Sequence, residues 1–216
     1  MTPRPMAPFE VNLPTLSPLV GGELADEGDY DAVELRGLDL SGQRATNARF
    51  LECGLYECRL DQADLRRARI ADCLLVDLSA VSLDAAESSW RDSILGGCRF
   101  GALVAHGATM TRVRVIGGKL DYVNLRGATL TDVTFEGCQI GELDLGGAQA
   151  HKVSLAGCRV ERVDFSAARL DEVDLSGAQL HELTGVADMA GAVISEVQLA
   201  DLAATFATHL GIRVRA

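Results

Sequence analysis

After Pro18 the chain contains no proline: all five, Pro3, Pro5, Pro8, Pro14 and Pro18, precede a stretch of nearly two hundred residues that excludes it. Proline lacks the amide donor, so a backbone whose N–H groups are all committed to neighbouring strands leaves this signature. Aromatic residues are scarce at 5%, which removes the large rings that dominate most cores. No apolar run approaches eighteen residues and no basic-then-apolar leader opens the chain, so neither a membrane span nor secretion is expected. With six cysteines in such a chain, free thiols in a reducing cytoplasm are the expectation. Cations are outnumbered, 20 Lys and Arg against 31 Asp and Glu for a net charge of −11. Binding to nucleic-acid phosphates needs clustered cations, so direct nucleic-acid binding is not expected.

What is present is a period of five. Every residue number divisible by five from Leu35 to Leu180 carries an apolar side chain, thirty positions in all. At 48% apolar residues this outcome has a chance on the order of 10⁻¹⁰. The positions two before each centre hold Ala, Cys, Val, Leu, Gly or Ser, with Gln43 the single exception. Side chains at i−2 and i lie on one side of an extended segment, so each pentapeptide reads as one short side of a coil, pointing a small and a large residue inward. Ten of the 22 glycines sit two after a centre, among them Gly97, Gly117, Gly137, Gly157 and Gly177, where a corner calls for a permissive backbone.

The unit small-(Asp/Asn)-Leu-x-x, as in VNLRG, VDFSA and VDLSG, resembles the pentapeptide-repeat family over residues 31–185. That resemblance implies an all-β solenoid, a right-handed quadrilateral β-helix with four pentapeptides per coil and residues twenty apart stacked in columns. On this count the 155 repeat residues make seven to eight coils, a rod roughly 37 Å long at ~4.8 Å per strand. Three segments follow: a proline-rich N-terminal arm over 1–30, the β-helix over 31–185, and a C-terminal helical cap and dimerisation module over 186–216. In that last segment Ser195 with Gln198 forms a capping box, Leu199, Leu202, Ala203, Phe206 and Leu210 form one stripe, and Gly211 marks the stop. A rod with such a tail is similar to the Qnr-type quinolone-resistance proteins and their mycobacterial counterpart. The resemblance implies a homodimer joined through the C-terminal module, with Leu199, Leu202, Phe206 and Leu210 in the cap and dimer contact. It also implies binding to DNA gyrase or topoisomerase IV by imitation of duplex DNA, protecting the enzyme from fluoroquinolones or a natural-product poison. Qnr proteins carry loops between coils, and here the register runs unbroken from Val33 to Leu183.

Counting by twenties places Glu52, Asp72, Asp92, Arg112, Asp132, Lys152 and Glu172 in one column. Its carboxylates, Glu52, Asp72, Asp92, Asp132 and Glu172, are the candidate partner-binding residues; the bland reading is a solvated face. Charge varies along the axis: residues 31–92 sum to −4, residues 93–120 hold four bases (Arg99, Arg112, Arg114, Lys119) and no acid, and residues 121–185 sum to −6. A basic belt at mid-rod is therefore expected. Tyr56, Val76 and Ile116 share another column with Leu74 and Ile94 beside them, an outward apolar face that the arm's Phe9, Val11, Leu13, Leu16 and Leu19 would cover.

No catalytic residues, cofactor or metal are expected. His106, His151, His181 and His209 fall on different faces or in the cap, no phosphate-binding loop or HExxH occurs, and a convex rod offers no water-excluding pocket. Trp90, between Ser88 and Ser93 at small positions, reads as core. All six cysteines occupy the small position, which makes them inward-facing apolar side chains; the stacked pairs Cys53/Cys73 and Cys138/Cys158 are expected to stay reduced. The alternative to topoisomerase binding is a non-catalytic interaction scaffold for an unrelated partner.

Overall fold

The structure, a computed structural model, describes residues 10–19 and 21–214. It is a parallel β-solenoid of about nine turns closed by a single C-terminal helix. Strands pair in parallel with partners twenty residues away, as in Trp90 with Met110, Met110 with Leu130 and Leu130 with Ala150. The stack exceeds the expected seven to eight coils because both flanks add rungs: Ser17–Pro18 pairs with Val33 and Glu34, and Ala192–Val193 pairs with Val173 and Asp174. Among the described residues no helix is long and apolar enough to cross a membrane.

The period of five translates directly into burial. Every centre from Leu35 to Leu175 is buried, and Leu180, at the last rung, is half-buried. Trp90 is inside, its indole Nε1 donating to Ser88 Oγ at 2.7 Å. Gln43, the one polar small-position residue, has a specific task at the rod's N-terminal end: its Oε1 accepts from Leu24 N at 2.6 Å, fixing the arm where it crosses that end. Leu24 is buried there and Leu19 packs against the same core. Leu19 and Leu24 therefore close the end of the rod, where an open coil would expose both apolar core and unpaired strand edge, and Val11, Leu13 and Leu16 are half-buried. Phe9 lies outside the described residues.

Corners are left-handed. At numbers ending in 2 or 7 from Gly22 to Glu172, φ lies between 49° and 69°. One column changes along the rod: Gly42 and Gln62 are left-handed, but from the next rung on Ser82, Ala102, Tyr122, Glu142 and Arg162 continue as strand, so that side is built from six-residue segments such as Ser79–Asp84 and Lys119–Asn124. For a residue with a Cβ a left-handed corner costs about 1–2 kcal/mol. It is offset by the hydrogen bond that the corner amide donates to the next coil, as Glu52 N to Ala71 O and Asp72 N to Arg91 O, both at 3.0 Å. Gly97, Gly117, Gly137 and Gly157 occupy such corners as expected, whereas Gly177 does not have a left-handed φ.

This distinction is measurable. Gly147, at φ 66° with open space around its Cα, loses about 1 kcal/mol on change to Ala from backbone strain alone. Gly177→Ala, whose new Cβ meets its neighbours no closer than 3.4 Å, stays within about 0.5 kcal/mol of the parent. Urea unfolding of both variants checks the pair, and equal losses would remove the corner account.

Candidate partner-binding surface

The column chosen from the sequence does stack. Leu51, Ala71, Arg91, Thr111, Thr131, His151 and Asp171 pair in successive rungs, and the next residue in each, Glu52, Asp72, Asp92, Arg112, Asp132, Lys152 and Glu172, takes the left-handed corner with φ between 49° and 54°, or 55° at Asp72. The side chains are not equivalent. Arg112 holds Asp92 in a bidentate pair at 2.5 and 2.6 Å, and Arg91 lies 3.6 Å from Asp92 and 4.0 Å from Asp72. Glu52, Asp132 and Glu172 make no ion pair among the described residues. The column is thus neutralised at Asp72 and Asp92 and carries open negative charge on either side of them.

The expected basic belt is not a free positive surface. Arg112 turns back to Asp92, Arg114 holds Glu136 through two contacts of 2.9 Å, and Lys119 reaches Asp121 at 3.2 Å. Charges within a few ångströms of an opposite charge project little field beyond a Debye length. Of the four bases only Arg99 lacks an ion pair among the described residues.

A second acidic column lies within the repeat consensus itself. Asp64, Asp84, Asp144 and Asp164 each precede a centre, and each accepts from the backbone amide two residues on, at 3.1, 3.1, 2.9 and 2.8 Å respectively. These are Asx turns that tie the corner. Arginines then bridge the rungs: Arg66 reaches Asp64 at 2.6 Å and Asp84 at 3.7 Å, and Arg126 reaches Asp144 at 3.1 Å and Asp164 at 3.5 Å. The Tyr122 hydroxyl donates to Asp144 at 3.5 Å, and burial raises its pKa. The signal in the sequence is an Asp before a centre recurring at twenties, with an Arg two places after that position in the same or the preceding coil, as Arg66 after Asp64 and Arg126 after Asn124.

Tyr56, Val76 and Ile116 fall in one column with Gly96 between the latter two, and Leu74 and Ile94 in the neighbouring one. All five named side chains are half-buried. Tyr56 is screened by the Arg36 guanidinium, 4.2 Å above its ring.

The C-terminal helix, Glu196–His209, has the expected capping box: Ser195 Oγ accepts from Gln198 N at 3.2 Å and Gln198 Oε1 accepts from Ser195 N at 2.8 Å. The same Gln198 donates through Nε2 to Leu175 O at 2.7 Å and Ala178 O at 2.8 Å, satisfying carbonyls that have no further coil to meet. The expected stripe divides. Leu202 is buried and Phe206 packs on the core, while Leu199 is 53% and Leu210 69% exposed. The inward line runs Gln198, Leu202, Phe206 at steps of four, which leaves Leu199 a further 100° around the helix. Val197, Ile212 and Val214 add to the outward apolar surface, and a cleft of about 520 Å³ lies between Leu183–Val186 and Ala204–His209.

All six cysteines are buried and free. Cys53 N and Cys138 N donate to the sulfurs of Cys73 and Cys158, each at 3.4 Å. Burial pushes the Cys98 thiol up to about 11 and raises Cys58 as well, which disfavours the thiolate that reacts or ligates. Among the described residues no group of His, Cys, Asp and Glu is placed to hold a metal ion. His151 pairs with Asp171 at 2.8 Å and His181 lies 3.8 Å from Glu161, on separate faces.

Comparison with known proteins follows the repeat. A sequence model described as pentapeptide repeats matches in eight copies over residues 34–70, 108–147 and 151–182, passing over 71–107. No curated protein sequence matches the chain. Among solved structures the chain is similar to trypsin-treated QnrB1, a plasmid-mediated fluoroquinolone resistance protein, at 17% identity and TM-score 0.42 over 90% of this chain and 96% of that one. Full-length QnrB1 gives 18% identity and TM-score 0.36 over 88% and 96%. HetL, involved in heterocyst differentiation regulation in the cyanobacterium Nostoc, gives 16% and 0.28 over 82% and 93%. These are likenesses of fold.

The Asx column predicts an acid response. The side-chain hydrogen bond from Arg66 is the main cause that holds the Asp64 carboxyl down at about 2. A depressed carboxylate contributes stability above its unfolded value of ~3.9 and loses it as pH falls toward the folded value. Urea midpoints should therefore drop between pH 4 and pH 2, and Asp64→Asn should make that drop shallower. An unchanged pH slope in the variant would show that the pair contributes nothing.

Proposed function

Since the chain belongs to the pentapeptide-repeat family, we propose that it is a non-catalytic cytoplasmic protein that binds DNA gyrase or topoisomerase IV in place of DNA. In this reading it protects the enzyme from fluoroquinolones or a natural-product poison, and it acts as a homodimer. The observation that carries the reading is the column of corner carboxylates: Glu52, Asp132 and Glu172, four and two rungs apart with Lys152 between the last two, make no ion pair among the described residues, on a chain of net charge −11. A row of negative charge along a narrow rod suits an enzyme surface built for a phosphate backbone. The dimer is supported by exposed apolar side chains of the C-terminal segment: Leu199 and Leu210 lie on one side of the helix, and Ile212 and Val214 follow its end. A second reading, an interaction scaffold for an unrelated basic partner, is favoured by the ion pairs that neutralise Asp72 and Asp92.

Two experiments test these statements. In gyrase and topoisomerase IV assays with and without a fluoroquinolone, the wild type should lower cleaved-complex formation, and the triple variant Glu52→Lys, Asp132→Lys, Glu172→Lys should lose at least tenfold in effective concentration. No effect of the wild type at any concentration with either enzyme leaves the scaffold reading. For the dimer, Leu199→Asp with Leu210→Asp should halve the mass measured by light scattering while leaving the β-sheet signal intact. An unchanged mass, dimeric or monomeric, removes this face as the contact.

A further inference from the structure

Capping at the C-terminal end of the rod is uneven. Ala192–Val193 pairs with Val173 and Asp174, and Gln198 Nε2 donates to the carbonyls of Leu175 and Ala178. The strand Gln179–Thr184 is treated differently: it pairs with Arg159–Asp164 behind it and forms the edge of its sheet, with no strand on its other side among the described residues. An open strand edge is a template for another extended chain.

Register identifies the groups left open. Where the coil continues, a single residue of the next rung makes two bonds: Asp64 N donates to Gln43 O at 2.9 Å, and Asp64 O accepts from Ala45 N at 2.8 Å. The amide of this centre position keeps donating forward along the rod, as Leu145 N to Asp164 O at 2.9 Å and Phe165 N to Thr184 O at 3.0 Å. In the last coil the two groups are Leu183 O and Gly185 N. The residue that a count of twenty assigns to them is Ala204, which is helical instead and lines the far side of the cleft of about 520 Å³ over Leu183–Val186. Among the described residues Gly185 N donates to no backbone carbonyl.

The surroundings select what fits the gap. Residues 170–212 hold seven acids and no Lys or Arg, and the wall Ala204–His209 is the C-terminal end of the helix, where partial negative charge gathers. Leu183 is buried and Val186 packs on the core, so the floor is apolar. A basic segment in extended conformation suits all three features, because its backbone meets the edge and its charge meets the acidic end.

We propose that this cleft docks an extended, basic segment of a partner protein, which adds to the rod as a further rung. One residue of the segment donates its N–H to Leu183 O and accepts from Gly185 N, as Asp64 does with Gln43 and Ala45, and an apolar neighbour rests on Leu183 and Val186. The site is independent of the corner carboxylates.

The acetylated, amidated hexapeptide Lys-Val-Lys-Val-Lys-Val, titrated into the isotope-labelled full chain, is the probe. It should slow hydrogen exchange at the Gly185 amide at least tenfold, and the counterpart with Glu in place of Lys should bind at least tenfold more weakly. Ala204→Trp, at an exposed helix position that fills the cleft, should weaken the basic peptide at least tenfold while circular dichroism stays unchanged. No binding at millimolar peptide, binding that leaves the Gly185 amide unprotected, equal binding of the two peptides, or indifference to Ala204→Trp would each overturn the proposal. So would protection of Gly185 that rises with protein concentration in the absence of peptide, since the occupant would then be a second copy.

Discussion

The rest of the molecule depends on one hydrogen bond repeated along it. Along the rod the amide of a left-handed corner donates to a carbonyl nineteen or twenty residues ahead, as Glu52 N to Ala71 O, Gly97 N to Ile116 O and Gly137 N to Ala156 O. Because these corners are tied to the next coil, the coil length is held at twenty residues from Glu34 to Thr184. Fixed coil length puts like positions into columns, and columns turn a one-dimensional sequence into faces. Surface charge, apolar strip and core are all consequences of that count.

The ends show what such an arrangement requires. An array that bonds only to its neighbours has two terminal coils with unmet groups. Two glutamines in the chain solve this at opposite ends: Gln43 accepts from the arm at Leu24, and Gln198 donates to Leu175 and Ala178 while also closing its own helix cap. Each is buried or half-buried with its amide occupied, so each is a polar residue with a structural use in an apolar setting. The C-terminal helix buries Leu202 and Phe206 for the same purpose, and its remaining apolar side chains are surplus to capping.

The fold was legible because its signal is additive: thirty centres and a missing residue type speak for one periodic backbone. Faces were legible for the same reason, since column membership is arithmetic. What arithmetic does not supply is where a flexible charged side chain goes. Arg112, expected to relieve repulsion within the acidic column, pairs with Asp92 there, but it and Arg114 also counted toward a positive belt and both are spent on carboxylates, Arg114 on Glu136. Likewise the stripe from Leu199 to Leu210 was correct as a list of apolar residues, but along the line of four-residue steps that meets the rod only Leu202 and Phe206 pack inward: Leu199 lies off that line, and Leu210, though in step, falls at the helix C-cap and stays exposed. For the arm the sequence pointed to the rod's side, while Leu19 and Leu24 lie at its end, a site that column arithmetic does not reveal because it belongs to no face.

Corner geometry also sorts the candidate acids. Asp and Asn visit the left-handed region more readily than other residues with a Cβ, since a short polar side chain can bond locally. Asp72, Asp92 and Asp132 thus have a backbone reason to sit at φ 49–55° whatever they bind. Glu52, Glu172, Arg112 and Lys152 share those corners at φ 52–54° with longer side chains that gain no such local bond. For them the backbone argues for glycine, which neighbouring columns do use at Gly97, Gly117 and Gly137. The same left-handed φ is nevertheless held by Ala32, Gln62, Arg67, Glu87 and Ala167 elsewhere on the rod, so the corner admits long side chains without selecting them for a partner. Within the column it is the lack of an ion pair among the described residues, at Glu52, Asp132 and Glu172, that sets the candidates apart.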